Sequence, residues 1–197
     1  METASNKIIL DLCGGTGAWS KPYSEAGYDV RVITLPYLPL FDTQPGDVRN
    51  FEPPDNVYGI LAAPPCTMFS LARQNAKTIR DFKGGMELVL SCLHIIWKCR
   101  FQGKLQFWAL ENPKGYLRQF LGKAPYEFQH WEFGDNGWKF TDIWGYFNFP
   151  HKTVHVKPGF SSQREWNRVT SVNGLNRKSI RAITPPHFAK AFFKVNQ

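Results

Sequence analysis

Apolar residues along this chain fall in short runs separated by glycine, proline and polar turns, and the spacing within the runs alternates between two patterns. Residues 7–12 form an apolar run that opens into Gly14, Gly15 and Gly17, which predicts a buried strand feeding a tight turn. A helix over 18–26, stopped by Gly27, fits next. Residues 28–35 are β-branched and alternating, closed by Pro36, and predict a second strand. A third, over 57–62, runs into Ala63-Pro64-Pro65-Cys66. Over 85–98 the period changes: Met86, Leu90, Leu93 and Trp97 recur at helical spacing, with Val89 and Ile96 widening the stripe. The run 105–110 predicts another strand, ending at Glu111-Asn112-Pro113. A short helix over 116–121, two aromatic strands over 128–133 and 142–149, and a closing helix over 187–195 complete the pattern.

Strand, glycine turn and helix in alternation predict an α/β fold: an open, mostly parallel sheet with helices on both faces. Ligands of such sheets bind at the carboxyl ends of the strands. Three expected strand ends carry polar or reactive groups here: Asp11 with its glycines, Pro64-Pro65-Cys66, and Glu111-Asn112-Pro113. The topology would bring them to one rim.

Composition narrows the setting. At 197 residues and 43% hydrophobic content, the chain can close one core, so residues 1–197 are read as a single domain. No apolar run approaches the roughly 20 residues that cross a bilayer, and no secretory or transit signal precedes the first strand. A cytoplasmic protein without a membrane partner is expected. Cys13, Cys66, Cys92 and Cys99 include no Cys-x-x-Cys pair, which argues against a metal site and for free thiols.

The net charge of +8 is unevenly spread. Residues 1–98 carry nine Lys or Arg against ten Asp or Glu, whereas residues 152–197 carry nine against one. That tail, with Arg177, Lys178 and Arg181 in its centre, suits a polyanion, because clustered cations gain affinity by releasing phosphate counterions.

The glycine turn after Asp11 lets a ligand approach the backbone, although it is neither a dinucleotide fingerprint nor a phosphate loop with its lysine. Pro64 and Pro65 pin the backbone before Cys66, which holds that thiol at a strand end as a candidate nucleophile. Cys92 and Cys99, in or beside an apolar helix, are expected to be packing. Glu111 follows a very hydrophobic segment, a position that suits a carboxyl group for proton donation.

Taken together, Asp-x-x-Gly-x-x-Gly at the start, Pro-Pro-Cys-x-x-Phe-Ser from Pro64 and Glu-Asn-Pro from Glu111 resemble the DNA (cytosine-5) methyltransferases, in that family's own order. Thr184-Pro185-Pro186-His187-Phe188-Ala189 resembles its last motif, and the short phage-type members are the most similar. The resemblance implies a Rossmann-like class I methyltransferase fold, S-adenosylmethionine as cofactor and DNA as substrate. It assigns Cys66 as the thiolate that adds to C6 of cytosine and Glu111 as the group that holds and protonates the base at N3, with the nucleotide flipped out of a duplex or already single-stranded. It places the cofactor on Asp11, Gly14, Gly15 and Gly17, with Asp47, Thr34 and Pro64 contributing. Ser70, Arg73 and Asn112 would steady the catalytic loop or contact substrate.

Departures from the family pattern shape the expectation. The acid expected at the end of the second strand is absent, and Thr34 stands nearest to it. The Gln-x-Arg-x-Arg segment that anchors the base is replaced by 133–141, where Lys139 or Thr141 could substitute. Residues 150–183 form a reduced basic segment in place of a large target-recognition region, which predicts relaxed or short specificity and leaves room for a protein partner that supplies it. Two other readings stay open: Cys66-dependent pyrimidine C5 modification with a different one-carbon donor or with RNA, single strands or a nucleotide, and a nucleic-acid-binding subunit without catalysis.

Overall fold

The computed structural model describes residues 6–35, 44–135, 137–157, 159 and 183–197. The strands are β1 (Ile8–Leu12), β2 (Asp29–Thr34), β3 (Gln44–Pro45), β4 (Val57–Ala62), β5 (Phe107–Pro113), β6 (Tyr126–Gln129) and β7 (Phe140–Tyr146). The helices are α1 (Lys21–Glu25), α2 (Phe82–Phe101), α3 (Arg118–Leu121) and α4 (Pro186–Val195). All strands join one sheet in the order β3-β2-β1-β4-β5-β7-β6. Pairings from β3 across to β5 are parallel, and β7 runs antiparallel to both β5 and β6. The fold is therefore α/β around a mostly parallel mixed sheet.

The strand period of two divides the core into layers. Leu10, Leu12, Ile60, Ala62 and Leu110 pack with Val89, Cys92, Ile95, Ile96 and Cys99 of α2 on one side. Ile9, Leu61, Phe107, Ala109 and Ile143 pack on the other with Tyr23 of α1 and Phe188 and Phe192 of α4. Phe188 stacks on Phe128 with ring centroids 4.0 Å apart and planes 15° apart, a contact worth about 0.5–1.5 kcal/mol beyond the area it buries. Among the described residues no helix is long and apolar enough to cross a membrane.

Several expected elements shift. The helix predicted over 18–26 is confined to Lys21–Glu25, because Gly15 and Gly17 take positive φ (57° and 67°) and Pro22 suits only a helix's first turn. The strand predicted over 128–133 ends at Gln129. There the Glu132 carboxylate accepts the Gln129 N–H at 2.6 Å and turns His130–Phe133 into a 3-10 turn. The strand predicted over 142–149 begins and ends earlier, at Phe140 and Tyr146. In α2 the buried stripe is rotated from the expected one: Val89, Cys92, Ile96 and Cys99 face the sheet, while Leu90 and Trp97 are exposed. Asp81 starts that helix by accepting the Gly84 N–H at 2.9 Å. The cap of α4 comes from afar, since Asp135 accepts the N–H groups of His187 and Phe188.

Candidate active site

Strand order reverses between β1 and β4, and a crevice opens at the carboxyl ends of the strands where such a reversal occurs. The Ala63 N–H donates to the Leu12 carbonyl at 2.9 Å, which sets the Pro-Pro-Cys loop directly beside the glycine turn. β5 lies on the other side of β4 and reaches further than its apolar run. Glu111, Asn112 and Pro113 remain in strand, opposite Ile143, Asp142 and Thr141 of β7. Neighbouring polar residues are thereby sent to opposite faces. Glu111 turns toward α4, whereas the fully buried Asn112 turns away and donates its amide to the Pro64 carbonyl at 2.9 Å. Asn112 is thus a clamp on the loop that carries Cys66, in place of the substrate contact expected from sequence.

The rest of that loop is tied from both ends. The Cys66 carbonyl accepts the Phe69 and Ser70 N–H groups at 3.0 and 2.8 Å, and Phe69 is buried beneath it. Gly115 passes so close that a Cβ there would lie 2.3 Å from the Phe69 carbonyl oxygen. Ser70 accepts the Ala72 N–H, and Arg73 bonds Met68 and Thr78, so of the two roles expected for them, steadying the loop or contacting substrate, these contacts serve the first. Arg80, which no motif singled out, donates to the carbonyls of Met68 and Ser70 at 2.8 and 3.0 Å and lies over the Tyr116 ring. Cys66 itself is half-buried at the rim. Cys92 is pushed well up, first by its hydrogen bond with Cys13 and then by burial, and burial pushes Cys99 up to about 11. Neither suits a nucleophile.

Glu111 meets Lys139 at 3.3 Å, with both side chains largely shielded from solvent. A small cavity of about 10 Å³ lies against this pair, walled by Phe128, His130, Thr141, Thr184, Pro185 and Phe188. His130 is buried, and that burial, reinforced by the Lys139 charge, pushes its pKa down to about 3, so the imidazole stays neutral. Periodicity gave no sign of it, since an isolated His acquires meaning only from what packs around it.

On the glycine turn, Asp11 is fully buried; its Oδ2 accepts the Ser20 hydroxyl at 2.6 Å and its Oδ1 has no partner among the described residues. Burial pushes this carboxyl up to about 6. A Cβ on Gly14 would collide with the Asp11 carboxylate, while the side of Gly15 is open. Cys13 takes a positive φ of 56° and donates its N–H to Ile33 at 2.8 Å, which pins the turn to β2. Thr34 ends β2 with its hydroxyl turned to the Leu35 carbonyl at 3.4 Å. Both oxygens of Asp47 are engaged by Arg49, which holds the carboxyl below the usual range. Asp11, Gly14, Gly15, Gly17, Pro64, Cys66, Glu111, Lys139 and Thr141 thus cluster around the strand ends of β1, β4, β5 and β7, while Arg177, Lys178 and Arg181 lie outside the described residues. Comparison with family models and with curated proteins finds no match for this sequence.

Proposed function

We propose that the protein is a DNA (cytosine-5) methyltransferase of relaxed sequence specificity, working in a reducing cytoplasm. The observation that carries this reading is the clamp between Asn112 and Pro64. It holds a prolyl-pinned thiol beside the strand position that follows Glu111, whose carboxyl group lies 3.3 Å from Lys139. A sheet ordered 3-2-1-4-5 from its edge, with the glycine turn and the cysteine loop on either side of the reversal, supports a Rossmann-like methyltransferase fold.

The glycine turn is where S-adenosylmethionine would be held. The Oδ1 of Asp11, without a partner among the described residues, is an acceptor for a donor group, and Gly15, whose side is open, lets a ligand reach the backbone of the turn that Gly14 and Gly17 shape. Thr34 offers a single hydroxyl where a ribose-binding acid would be expected. Bound there, the cofactor supplies an electrophilic methyl group. Cys66 adds as thiolate to C6 of cytosine, and the displaced electron pair moves to the ring, where the Glu111 carboxyl delivers a proton at N3. Lys139 balances the charge on Glu111 as that proton leaves. After C5 is alkylated, a water molecule takes the C5 proton, the C6–S bond breaks to release the Cys66 thiolate, and N3 returns its proton to Glu111, which restores the ring. The neutral His130 and Thr141 line the same wall and add hydrogen-bonding capacity without further charge.

The test is nucleoside mass spectrometry of DNA incubated with the protein and S-adenosylmethionine, beside Cys66→Ala. A gain of 5-methylcytosine that vanishes in the variant is expected, with DNA binding retained. No new nucleoside, or equal product from Cys66→Ala, would overturn the reading. The engagement of Asp47 by Arg49 and the lack of an acid at Thr34 favour one alternative, the same thiol addition with a different one-carbon donor. Absence of calorimetric S-adenosylmethionine binding in the presence of DNA would select it.

A further inference from the structure

Balanced charge over the first half of the chain conceals a local excess. Between Cys66 and Lys83 four cations face a single acid, Asp81, and that acid is occupied capping α2. Lys77 and Lys83 are exposed along this stretch. Two aromatic rings flank the same loop and remain open to solvent, Tyr116 at 38% and Phe140 at 48%. Tyr116 is tied to it directly, its N–H donating to Phe69 at 2.9 Å, and Phe140 is tied only through the neighbouring segment, where its carbonyl accepts the Lys114 N–H at 3.0 Å and Gly115 bridges to Ser70. Each ring also carries a cation, Arg80 at 4.8 Å from the Tyr116 centroid and Lys114 at 5.2 Å from that of Phe140. Tyr116 also packs edge-on against Phe82 at 5.9 Å, but half-exposed rings beside a basic loop match a flexible polyanion with flat bases.

We propose that this rim is a track for an unpaired DNA strand, with phosphates on Lys77, Lys83 and their neighbours and bases stacked on Tyr116 and Phe140. It rests on the reading that Cys66 acts on a pyrimidine, and it names the state in which that base arrives. In a duplex the base faces are already stacked on each other, so the rings gain nothing until a few kcal/mol of unstacking has been spent. A single strand offers its faces directly, and stacking of this kind tolerates any sequence. Relaxed specificity then follows from how the strand is held.

The experiment is fluorescence anisotropy with the full chain and no cofactor, using a labelled oligothymidylate, the matching oligothymidylate–oligoadenylate duplex and an oligouridylate. None contains cytosine, so binding is read apart from chemistry. The single DNA strand is expected to bind at least tenfold tighter than the duplex. Phe140→Leu, which keeps apolar bulk and removes the ring, should weaken single-strand binding roughly 5- to 150-fold and leave duplex binding unchanged. Lys77→Gln with Lys83→Gln should reduce the slope of log affinity against log salt by about 1.4. Thermal melting verifies that each variant folds. Duplex binding as tight as single-strand binding, an unchanged Phe140→Leu, or a tenfold preference for oligouridylate would overturn the proposal. If methylation of duplex DNA is nonetheless found, only the track fails; if single strands bind and no 5-methylcytosine forms, only the chemistry does.

Discussion

Truncating Arg118 to Met tests how the β5-β7-β6 end of the sheet is held beneath the site. Arg118 reaches from α3 to Asp142 on β7, its Nε 2.6 Å from Oδ2 and its Nη2 bonded to Oδ1, and the Asp142 side chain has no exposure to solvent. The same Nη2 lies 2.8 Å from Glu127, a half-exposed carboxylate. Removing one partner of a buried pair costs about 3–5 kcal/mol, because the other charge is left without compensation. Arg118 is 22% exposed, so water reaches the gap and the lower end applies. The Glu127 contact adds no more than about 1 kcal/mol. A loss of about 3 kcal/mol lowers Tm by roughly 6–12 °C in a chain of this length. Urea unfolding followed by tryptophan fluorescence measures it, with Arg118→Met/Asp142→Leu as the second arm. The double variant should recover most of the loss, since no buried charge remains. A single-variant loss below about 1 kcal/mol, or a double variant as unstable as the single, would refute the reasoning.

Asp11 sets a pH dependence of definite sign. Its folded pKa of about 6 lies above the ordinary carboxyl value, so the folded state retains a proton that the unfolded chain releases, and stability falls as pH rises from about 4 to 6. The distance from the ordinary carboxyl value to about 6 corresponds to a loss on the order of 3 kcal/mol. Urea unfolding across that range should show Asp11→Asn without this component, and parallel wild-type and variant profiles would contradict it. Gly115→Ala forces a methyl group against the Phe69 carbonyl. It should cost about 1–3 kcal/mol in Tm measurements and slow 5-methylcytosine formation by about 100-fold through displacement of the Cys66 loop. Unchanged turnover would separate that loop from the chemistry.

Legibility in the sequence tracks how local the determining interaction is. β4 was readable to the residue, because a strand buried on both faces is a continuous apolar run and Pro64 ends it. β5 is longer than its apolar run, since Glu111 and Asn112 look like a loop until β7 supplies a ladder opposite them. The face of α2 is hard to read from spacing because apolar residues occur all round it, and Trp97 competes with the small, buried Cys92 and Cys99. Arg80 and Asp135 act on backbone groups 10 to 53 residues away, and no spacing rule encodes such a partner. Cys66, Glu111 and the glycines stand out because each directly follows or interrupts an apolar run at a strand end.

The opposite facing of Glu111 and Asn112 makes reading frame, as much as residue identity, the thing that β5 must preserve. A slip of one position against β7 would turn the carboxylate into the α2 layer, where burial of an unpaired charge is prohibitive, and swing the amide away from Pro64 toward Lys139. Point substitutions outside this pair leave that assignment intact. A single insertion or deletion within Phe107–Pro113 exchanges the two roles at once, so this segment tolerates changes of letter and not of length.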